Sequence, residues 1–264
     1  VEARTPYLLK GRGGWYPGLI RECLNSFKEI MVLDDVSARE FRRAGASNIA
    51  LSGRMEEPSA ALSYHEPERA YLAQLMATRP VWLAAEVPQS EEAAVIAAHR
   101  SALRLAHRLL LILVPQDPAR AAQIAAKMES DQGWTVAERS HEQEPDPETE
   151  VYIPDSASEF GLWYRLAPVT FMGGSLIGDG CIRNPMEPAA LGSAIIYGPR
   201  SGNFGPLFGR LGAARAARAI GAAADLGDAL AELLAPDRAA RLAQSAWGLA
   251  SEGVDVTDRI LAIT

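Results

Sequence analysis

Residues 173–187 include the residue types that could bind a nucleotide. Gly173 and Gly174, followed by Ser175, let the backbone turn sharply and approach a ligand, so that their N–H groups could face a phosphate. Pro185 suits the first turn of a helix, whose free N–H groups attract anions. Glu187 falls in that turn, where its carboxylate could accept hydrogen bonds from ribose hydroxyls. This order predicts a site for a nucleotide phosphate and its ribose; a strand, a loop and a capped helix without a ligand is the alternative.

Four other positions complete the predicted site. Arg183 could make a bidentate contact with the phosphate, with an exposed arginine as the alternative. Asn184 could fix the loop or reach the phosphate. Pro115 and Gln116 directly follow an apolar run, and in open α/β sheets ligands bind where the strands end. We therefore expect one wall of the site to come from the loops after Ala85, Val114, Ile153 and Met172.

Strand-like apolar runs alternate with alanine-rich amphipathic stretches along the chain. This alternation predicts an α/β fold, a Rossmann-like parallel sheet flanked by helices. The predicted strands are 29–33, 49–51, 81–85, 109–114, 135–137, 151–153, 169–172 and 194–197. The predicted helices are 37–44, 68–76, 90–105, 118–131, 158–166, 185–191, 226–234, 237–251 and 255–263, the last two with Asp237 and Asp255 as N-caps. Residues 140–149 have no apolar face and predict an exposed loop.

Composition excludes several classes of function. The 264 residues carry a net charge of −7, which argues against a general nucleic-acid surface, where a basic field would be needed. Cys23 and Cys181 match no metal-binding spacing, and the four histidines form no metal-ligand pattern, so we predict no metal. No apolar run is long enough to span a bilayer, so we expect this part of the protein to be soluble. The two cysteines lie far apart in the sequence, which favours a reduced, cytosolic compartment.

The chain resembles the 3-deoxy-D-manno-octulosonic acid (Kdo) transferases of lipopolysaccharide synthesis. The resemblance rests on residues 173–199 and on the runs Arg79–Ala85, Leu109–Pro115 and Ile195–Pro199. Upstream, Val1-Glu2-Ala3-Arg4 and residues 44–53 are similar to family segments, so the resemblance spans nearly the whole chain. It implies that a large acceptor-binding, amino-terminal part precedes this segment, in agreement with Val1 in place of an initiator Met.

The resemblance implies the donor-binding half of a glycosyltransferase of the B architecture. In that family the donor is CMP-Kdo and the acceptor is a lipid A precursor, which would be bound through the missing amino-terminal domain. The reaction is an inverting displacement without metal or other cofactor. The general base is an acidic residue of the missing domain, so no catalytic residue is assigned here. The same domain would provide any contact with the membrane surface, at the cytoplasmic face of the inner membrane.

Three loops on the donor side depart from the family pattern. Pro115-Gln116-Asp117-Pro118 replaces Pro-Arg-His-Pro, and residues 178–183 replace a segment with two histidines. Residues 85–92 replace Ser-Thr-His-x-Gly-Glu-Glu. A further difference, apart from these three loops, is Gly53-Arg54-Met55-Glu56 in place of Gly-Asn-Leu-Lys. Because the donor is anionic, these exchanges should weaken its binding unless Arg183 or Arg200 compensates.

The resemblance also implies a domain division and leaves two hypotheses for the function. Residues 1–58 would form the end of the amino-terminal domain and the interdomain segment, and residues 59–264 the nucleotide-sugar binding domain. The first hypothesis is a Kdo-transferase-like enzyme. The second is a divergent paralogue with a changed donor or no catalysis, acting as a binding or assembly module, since a fold alone does not determine function.

Overall fold

The computed structural model describes residues 3, 17–32, 35–51, 62–76, 79–154 and 157–261. The chain divides into two compact units, one formed by residues 1–58 with 251–264 and the other by residues 59–250. The expected similarities at Val1, Glu2 and Arg4 and at residues 53–56 lie outside the described residues, as does the expected boundary at residue 59.

The smaller unit contains a two-stranded parallel sheet. Helix α1 covers Pro17–Asn25 and helix α2 covers Asp35–Arg43, and strand β1 (Ile30–Val32) pairs with β2 (Ile49–Leu51). Ala3 extends this pairing through a bridge to Val32. Phe41 of α2 packs on the buried side chains of the first strand. The unit is thus a small α/β layer with its own apolar core.

The larger unit contains a seven-stranded parallel sheet in the order β5-β6-β4-β3-β7-β8-β9. Its strands are β3 (Val81–Val87), β4 (Leu110–Pro115), β5 (Val136–Glu138), β6 (Val151–Ile153), β7 (Val169–Met172), β8 (Ala194–Tyr197) and β9 (Arg218–Ala219). Its helices are α3 (Glu66–Met76), α4 (Glu92–Leu103), α5 (Ala121–Gln132), α6 (Phe160–Leu166), α7 (Met186–Ala190), α8 (Gly205–Ala213) and α9 (Leu226–Leu233). A last helix, α10, covers Pro236–Leu261.

The central strands are buried on both faces, as a parallel sheet with helices on each side requires. In β3, Trp82 and Ala84 pack into one apolar cluster with α4, α5 and α9, whereas Leu83 and Ala85 pack into a second cluster with α3 and α6. Successive side chains of β4 divide between the same two clusters. The continuous apolar runs in the sequence are therefore the two-faced centre of the sheet.

The predicted α/β architecture is confirmed, and each of the eight predicted strands is present. The sequence patterns did not indicate helices α1 and α8 or the short edge strand β9. The two predicted terminal helices are one helix, so Asp255 lies inside it and Asp237 is its second residue rather than its N-cap. Within the described residues, no helix combines the length and apolar character needed to cross a membrane.

The loop at 140–149 is mostly exposed, as predicted, but the side chain of a buried arginine fixes its end. Arg79 is 7% exposed, and its guanidinium donates to the carbonyl oxygens of Arg108, Asp146 and Thr149. Asp146 in turn accepts hydrogen bonds from the backbone of Glu148 and of Thr149. The segment is therefore held at the amino edge of the sheet.

Candidate functional site

A candidate ligand cavity lies at the carboxyl edge of the central strands. It has a volume of about 520 Å³, within the range of small-molecule sites. The loops after β3, β4, β7 and β8 line it through Pro88, Ser90, Gln116, Gly174, Ile177, Gly178, Asp179, Gly180, Cys181, Ile182, Gly202, Asn203 and Phe204. This is the edge at which the sequence predicted a ligand.

The composition of the predicted wall is corrected in one respect. Residues after Ile153 were expected to contribute, but no described residue of the loop between β6 and α6 lines the cavity. Strand β6 lies beyond β4, on the side of β3 away from β7. The cavity is centred between β3 and β7, so the loop after β8 takes that place through residues 202–204.

The two glycines after β7 are required by close backbone contacts. A Cβ on Gly173 would lie 2.3 Å from the carbonyl oxygen of Glu86, and one on Gly174 would lie 2.6 Å from that of Gly180. Gly174 also has a φ of +76°, which favours glycine. The glycine pair was predicted to permit close approach to a ligand; here it permits close approach to neighbouring loops of the protein.

The N–H groups of this loop are occupied by a side chain of the protein itself. Glu91 is fully buried, and its Oε2 accepts the N–H of Gly174 at 2.9 Å. Its Oε1 accepts the N–H groups of Leu176 at 2.7 Å, Ile177 at 2.8 Å and Gly178 at 3.3 Å. A carboxylate thus occupies the ring of donors in which a phosphate was expected.

The expectation that the N–H groups of Gly173 and Gly174 point at a phosphate is therefore corrected. The N–H of Gly173 donates to the carbonyl oxygen of Ala85 at 2.8 Å, because β7 runs beside β3 to its end, and Glu91 accepts that of Gly174. Ser175 is fully buried, and its Oγ donates to Met172 and accepts the N–H of Gly198. Of these three residues, Gly174 lines the cavity.

Asn184, Pro115 and Gln116 have different environments. The Asn184 side chain accepts the N–H of Met186 at 2.9 Å, so it fixes the loop, which is one of its two predicted roles. Pro115 is buried as the last residue of β4 and does not line the cavity. Gln116 is exposed and lines it, while its N–H donates to Val87.

Arg183 and Glu187 form an ion pair beside the cavity. The Arg183 Nε and Nη2 atoms donate to Glu187 Oε2 at 3.0 and 2.6 Å, and the guanidinium lies 4.1 Å from the ring centroid of Phe160. The buried Tyr164 hydroxyl lies 3.4 Å from the same Oε2. Burial, reinforced by the charge of Glu187, raises the pKa of Tyr164 well above its ordinary value, so the phenol stays protonated and donates.

The geometry of this pair leaves one carboxylate oxygen available. All three donors converge on Oε2, and no donor to Oε1 is found among the described residues. The Glu187 side chain is 17% exposed. Glu187 does not cap its own helix, and its Oε1 can accept hydrogen bonds from a ligand.

Glu86, whose backbone is strained, lies close to this pair. It has a φ of +53° at an irregularity in the β3–β4 register and is 6% exposed. Such a conformation is uncommon for a residue with a Cβ and costs about 1–3 kcal/mol. Burial raises its pKa, the Glu187 charge adds to this rise, and Arg183 opposes it. Glu86 is therefore a further candidate site residue.

The electrostatics of the cavity differ from those of a typical phosphate site. Asp179 is the only charged side chain among the described residues that line it. Asp117, next to Gln116, accepts the N–H of Ala119 and so caps a short turn of helix. Burial raises the pKa of the Cys181 thiol to about 11, so the cavity holds a neutral thiol rather than a thiolate. No group of His, Cys, Asp or Glu in the described part of the chain could hold a metal ion.

Sequence reasoning missed Glu91, Glu86 and Tyr164 as site residues. Glu86 interrupts the apolar run of β3 near its end and Glu91 follows that strand, so acidic residues at the end of a buried strand are a signal that could have been used. Tyr164 carries no comparable signal, because it is one of several aromatic residues in α6, and only the packing brings its hydroxyl to Glu187.

Comparison with known proteins supports the fold and the family. No family model matches the chain. It is 34% identical over 130 residues to the 3-deoxy-D-manno-octulosonic acid transferase of Haemophilus influenzae, covering 49% of this chain and 30% of that protein. It is 30% identical over 236 residues to the transferase of Bordetella pertussis, covering 87% of this chain and 52% of that protein. The chain thus spans about half or less of the length of these two curated relatives.

Among solved structures, the chain resembles the C-terminal CMP-Kdo binding domain of WaaA from Acinetobacter baumannii. The TM-score is 0.61 with 29% identity, and the match covers 69% of this chain and 97% of that domain. WaaG, a glycosyltransferase involved in lipopolysaccharide biosynthesis, shares the fold with a TM-score of 0.50 at 14% identity, over 93% of this chain and 65% of WaaG. The sheet is therefore that of a B-type glycosyltransferase domain, and the chain is similar to the curated 3-deoxy-D-manno-octulosonic acid transferases and to the C-terminal domain of WaaA.

Proposed function

We propose that this chain is the donor-binding part of a Kdo transferase, with residues 59–264 as the nucleotide-sugar binding domain. The full protein would transfer Kdo from CMP-Kdo to a lipid A precursor in lipopolysaccharide inner-core synthesis. The observation that carries the proposal is the similarity of 69% of this chain, in sequence and in fold, to a CMP-Kdo binding domain. The cavity at the carboxyl edge of β3 and β7 supports it, because nucleotides bind at that edge of open α/β sheets.

Within the proposed site, Glu187 would hold the ribose through Oε1. Arg183 keeps this carboxylate in place and retains Nη1 as a further donor that could reach the phosphate. Gly174 and Gln116 would form the walls on either side, and Asn184 would fix the loop that precedes Glu187. Pro115, Gly173 and Ser175 would support these walls from within the protein rather than touch the ligand.

The proposed reaction is a direct displacement at the anomeric carbon of Kdo. The acceptor hydroxyl forms the new bond, while the bond to the phosphate oxygen breaks and CMP leaves with the electron pair. An acidic residue outside this chain would take the hydroxyl proton. The residues described here would contribute by positioning the donor and stabilising the departing phosphate. The acceptor and the cytoplasmic face of the inner membrane would be contacted by the part of the protein that carries this base.

A divergent paralogue is the second candidate, and the electrostatics favour it. The described cavity wall carries Asp179 and no basic side chain, Arg183 is paired with Glu187, and Glu91 occupies the loop N–H groups. A donor with a phosphodiester and a carboxylate would find fewer cations than the family pattern provides. A changed donor, or a binding or assembly role without catalysis, would agree with these features.

Calorimetric titration of the chain with CMP, CDP and UMP distinguishes the two candidates. We expect CMP to bind in preference to UMP, and Glu187→Ala to weaken this binding by about tenfold or more, as the loss of charge-assisted hydrogen bonds implies. Glu129→Ala, on the exposed side of α5, is the matched control and should bind CMP like the parent chain. If a folded chain binds none of the three nucleotides, the donor-binding proposal is wrong and the second candidate is favoured.

A further inference from the structure

A depression lined by arginines lies on the larger unit, away from the donor cavity. It has a volume of about 300 Å³ and is lined by Arg215, Arg218, Glu232, Leu233, Arg238, Arg241, Leu242 and Ser245. Arg218 is in β9, the edge strand, and Arg215 precedes that strand. The depression therefore starts at the amino end of β9, whereas the donor cavity lies at the carboxyl ends of the strands. We call it the arginine depression.

The charge of the arginine depression is opposite to that of the whole chain. The chain has a net charge of −7, yet four guanidinium groups line this one surface. Glu232 is the one acidic residue among the described lining residues, and it lies 3.0 Å from Arg218 and 3.9 Å from Arg238. Asp237 pairs with Arg241 at 3.0 Å. Two carboxylates thus face four guanidinium groups, which leaves an excess of two positive charges.

Arg215 contributes an unshared positive charge. No carboxylate among the described residues lies within ion-pair distance of it. The side chains of Arg218, Arg238 and Arg241 are 46%, 56% and 73% exposed, so each can turn toward a ligand without disturbing the core. Leu233 and Leu242 form the apolar part of the lining. Hydrogen bonds from the guanidinium groups to a ligand are stronger beside such apolar side chains than in bulk water.

The planar guanidinium fork matches the oxygens of a phosphate better than any other side chain does. Arginines from three parts of the fold meet here: the turn before β9, β9 itself and the first two turns of α10. We propose that the arginine depression is a second ligand site, specific for a phosphate-bearing group. Its ligand is either a soluble phosphate compound or the headgroup of an anionic lipid, since both present the same oxygens.

Pyrophosphate and lipid vesicles are the two probes that test this site. Pyrophosphate is titrated calorimetrically, and vesicles with and without an anionic phospholipid are tested by co-sedimentation. Each probe is used with the parent chain, with Arg238→Glu/Arg241→Glu, and with the matched control Arg104→Glu/Arg108→Glu, whose arginines are exposed near the end of α4. Both double variants change the net charge equally, so a general charge effect would appear in both.

We expect the parent and control chains to bind at least one probe, and Arg238→Glu/Arg241→Glu to bind it about tenfold or more weakly, because two charge-assisted contacts are lost. Binding should also weaken with rising salt. Pyrophosphate binding would identify a soluble ligand, and binding to anionic vesicles alone would identify a lipid headgroup. Equal loss in both double variants, or no binding of either probe by the parent, would overturn the proposal. CMP titration of Arg238→Glu/Arg241→Glu should be unchanged, which separates this site from the donor site.

Discussion

Replacement of Glu91 by glutamine should destabilise the protein more than any comparable change at the surface. The Glu91 carboxylate is fully buried and accepts four backbone N–H groups of the loop after β7. An amide has one accepting oxygen. If that oxygen takes the place of Oε1, it retains the N–H groups of Leu176, Ile177 and Gly178, but the amide N–H then faces the N–H of Gly174.

The size of the effect follows from these contacts. Hydrogen bonds to a charged acceptor contribute about 1.5–3 kcal/mol each and neutral ones about 0.5–1.5 kcal/mol, so three weakened bonds cost about 3 kcal/mol. The unsatisfied Gly174 N–H adds about 1–3 kcal/mol, and the lower desolvation cost of a neutral amide offsets part of the sum. We expect Glu91→Gln to lower the free energy of unfolding by about 2–4 kcal/mol.

Urea unfolding followed by tryptophan fluorescence measures this difference, since the chain has five tryptophans. The midpoint should fall while the slope with urea concentration stays the same, which would show that the native state remains compact. Glu129→Gln, at an exposed position of α5, should stay within about 0.5 kcal/mol of the parent. If Glu91→Gln also stays within that range, the carboxylate does not hold the loop and the reasoning is wrong.

Three further predictions concern the same region and the core. Tyr164→Phe should weaken the proposed CMP binding several-fold in calorimetry, because Glu187 loses its buried donor. The control Tyr71→Phe should leave CMP binding unchanged. If Tyr164→Phe binds CMP as tightly as the parent chain, Tyr164 does not position Glu187. Gly174→Ala should lower the free energy of unfolding by about 1–3 kcal/mol in urea, since φ is +76° and the Cβ would meet Gly180, and an unchanged midpoint would contradict this. Burial lowers the pKa of His99 from 6.5 to about 3, so the unfolded chain binds the proton first as pH falls. The free energy of unfolding should therefore fall by about 1.4 kcal/mol for each pH unit as the pH is lowered between these two values. From about pH 6.5 to pH 5, His99→Gln should lose about 2 kcal/mol less of this free energy than the parent chain does. Equal losses would show that His99 does not cause the pH dependence.

Much of the fold could be predicted from the sequence because its signals are local. The runs that form β3, β4 and β7 are almost entirely apolar, because these strands are buried on both faces, and such runs can be recognised without knowledge of the neighbouring strands. Glycines at a strand end likewise indicate a turn. The expectation of a ligand site at that edge, and the family resemblance through residues 173–199, depend on the same local features.

The elements that were missed are those with weak local signals. Strand β9 has two exposed residues, and its strand character comes from pairing with Ile196 and Tyr197. Helix α8 contains three glycines in nine residues, which disfavour a helix, and packing of Phe208 and Leu211 compensates. Asp255 has the residue type of an N-cap, but helix α10 continues through it. Tertiary contacts override propensity in each case.

The sequence by itself determined which residue types stand at the carboxyl edge of the sheet, because these residues directly follow apolar runs that are recognisable as strands. The tertiary structure decided what each of them does. Gly174 and Glu91 are 83 residues apart, yet their contact removes the loop N–H groups from any ligand. Tyr164 and Arg183 converge on one oxygen of Glu187 and leave the other available. Hydrogen-bond partners between distant segments depend on packing, and no local pattern specifies them.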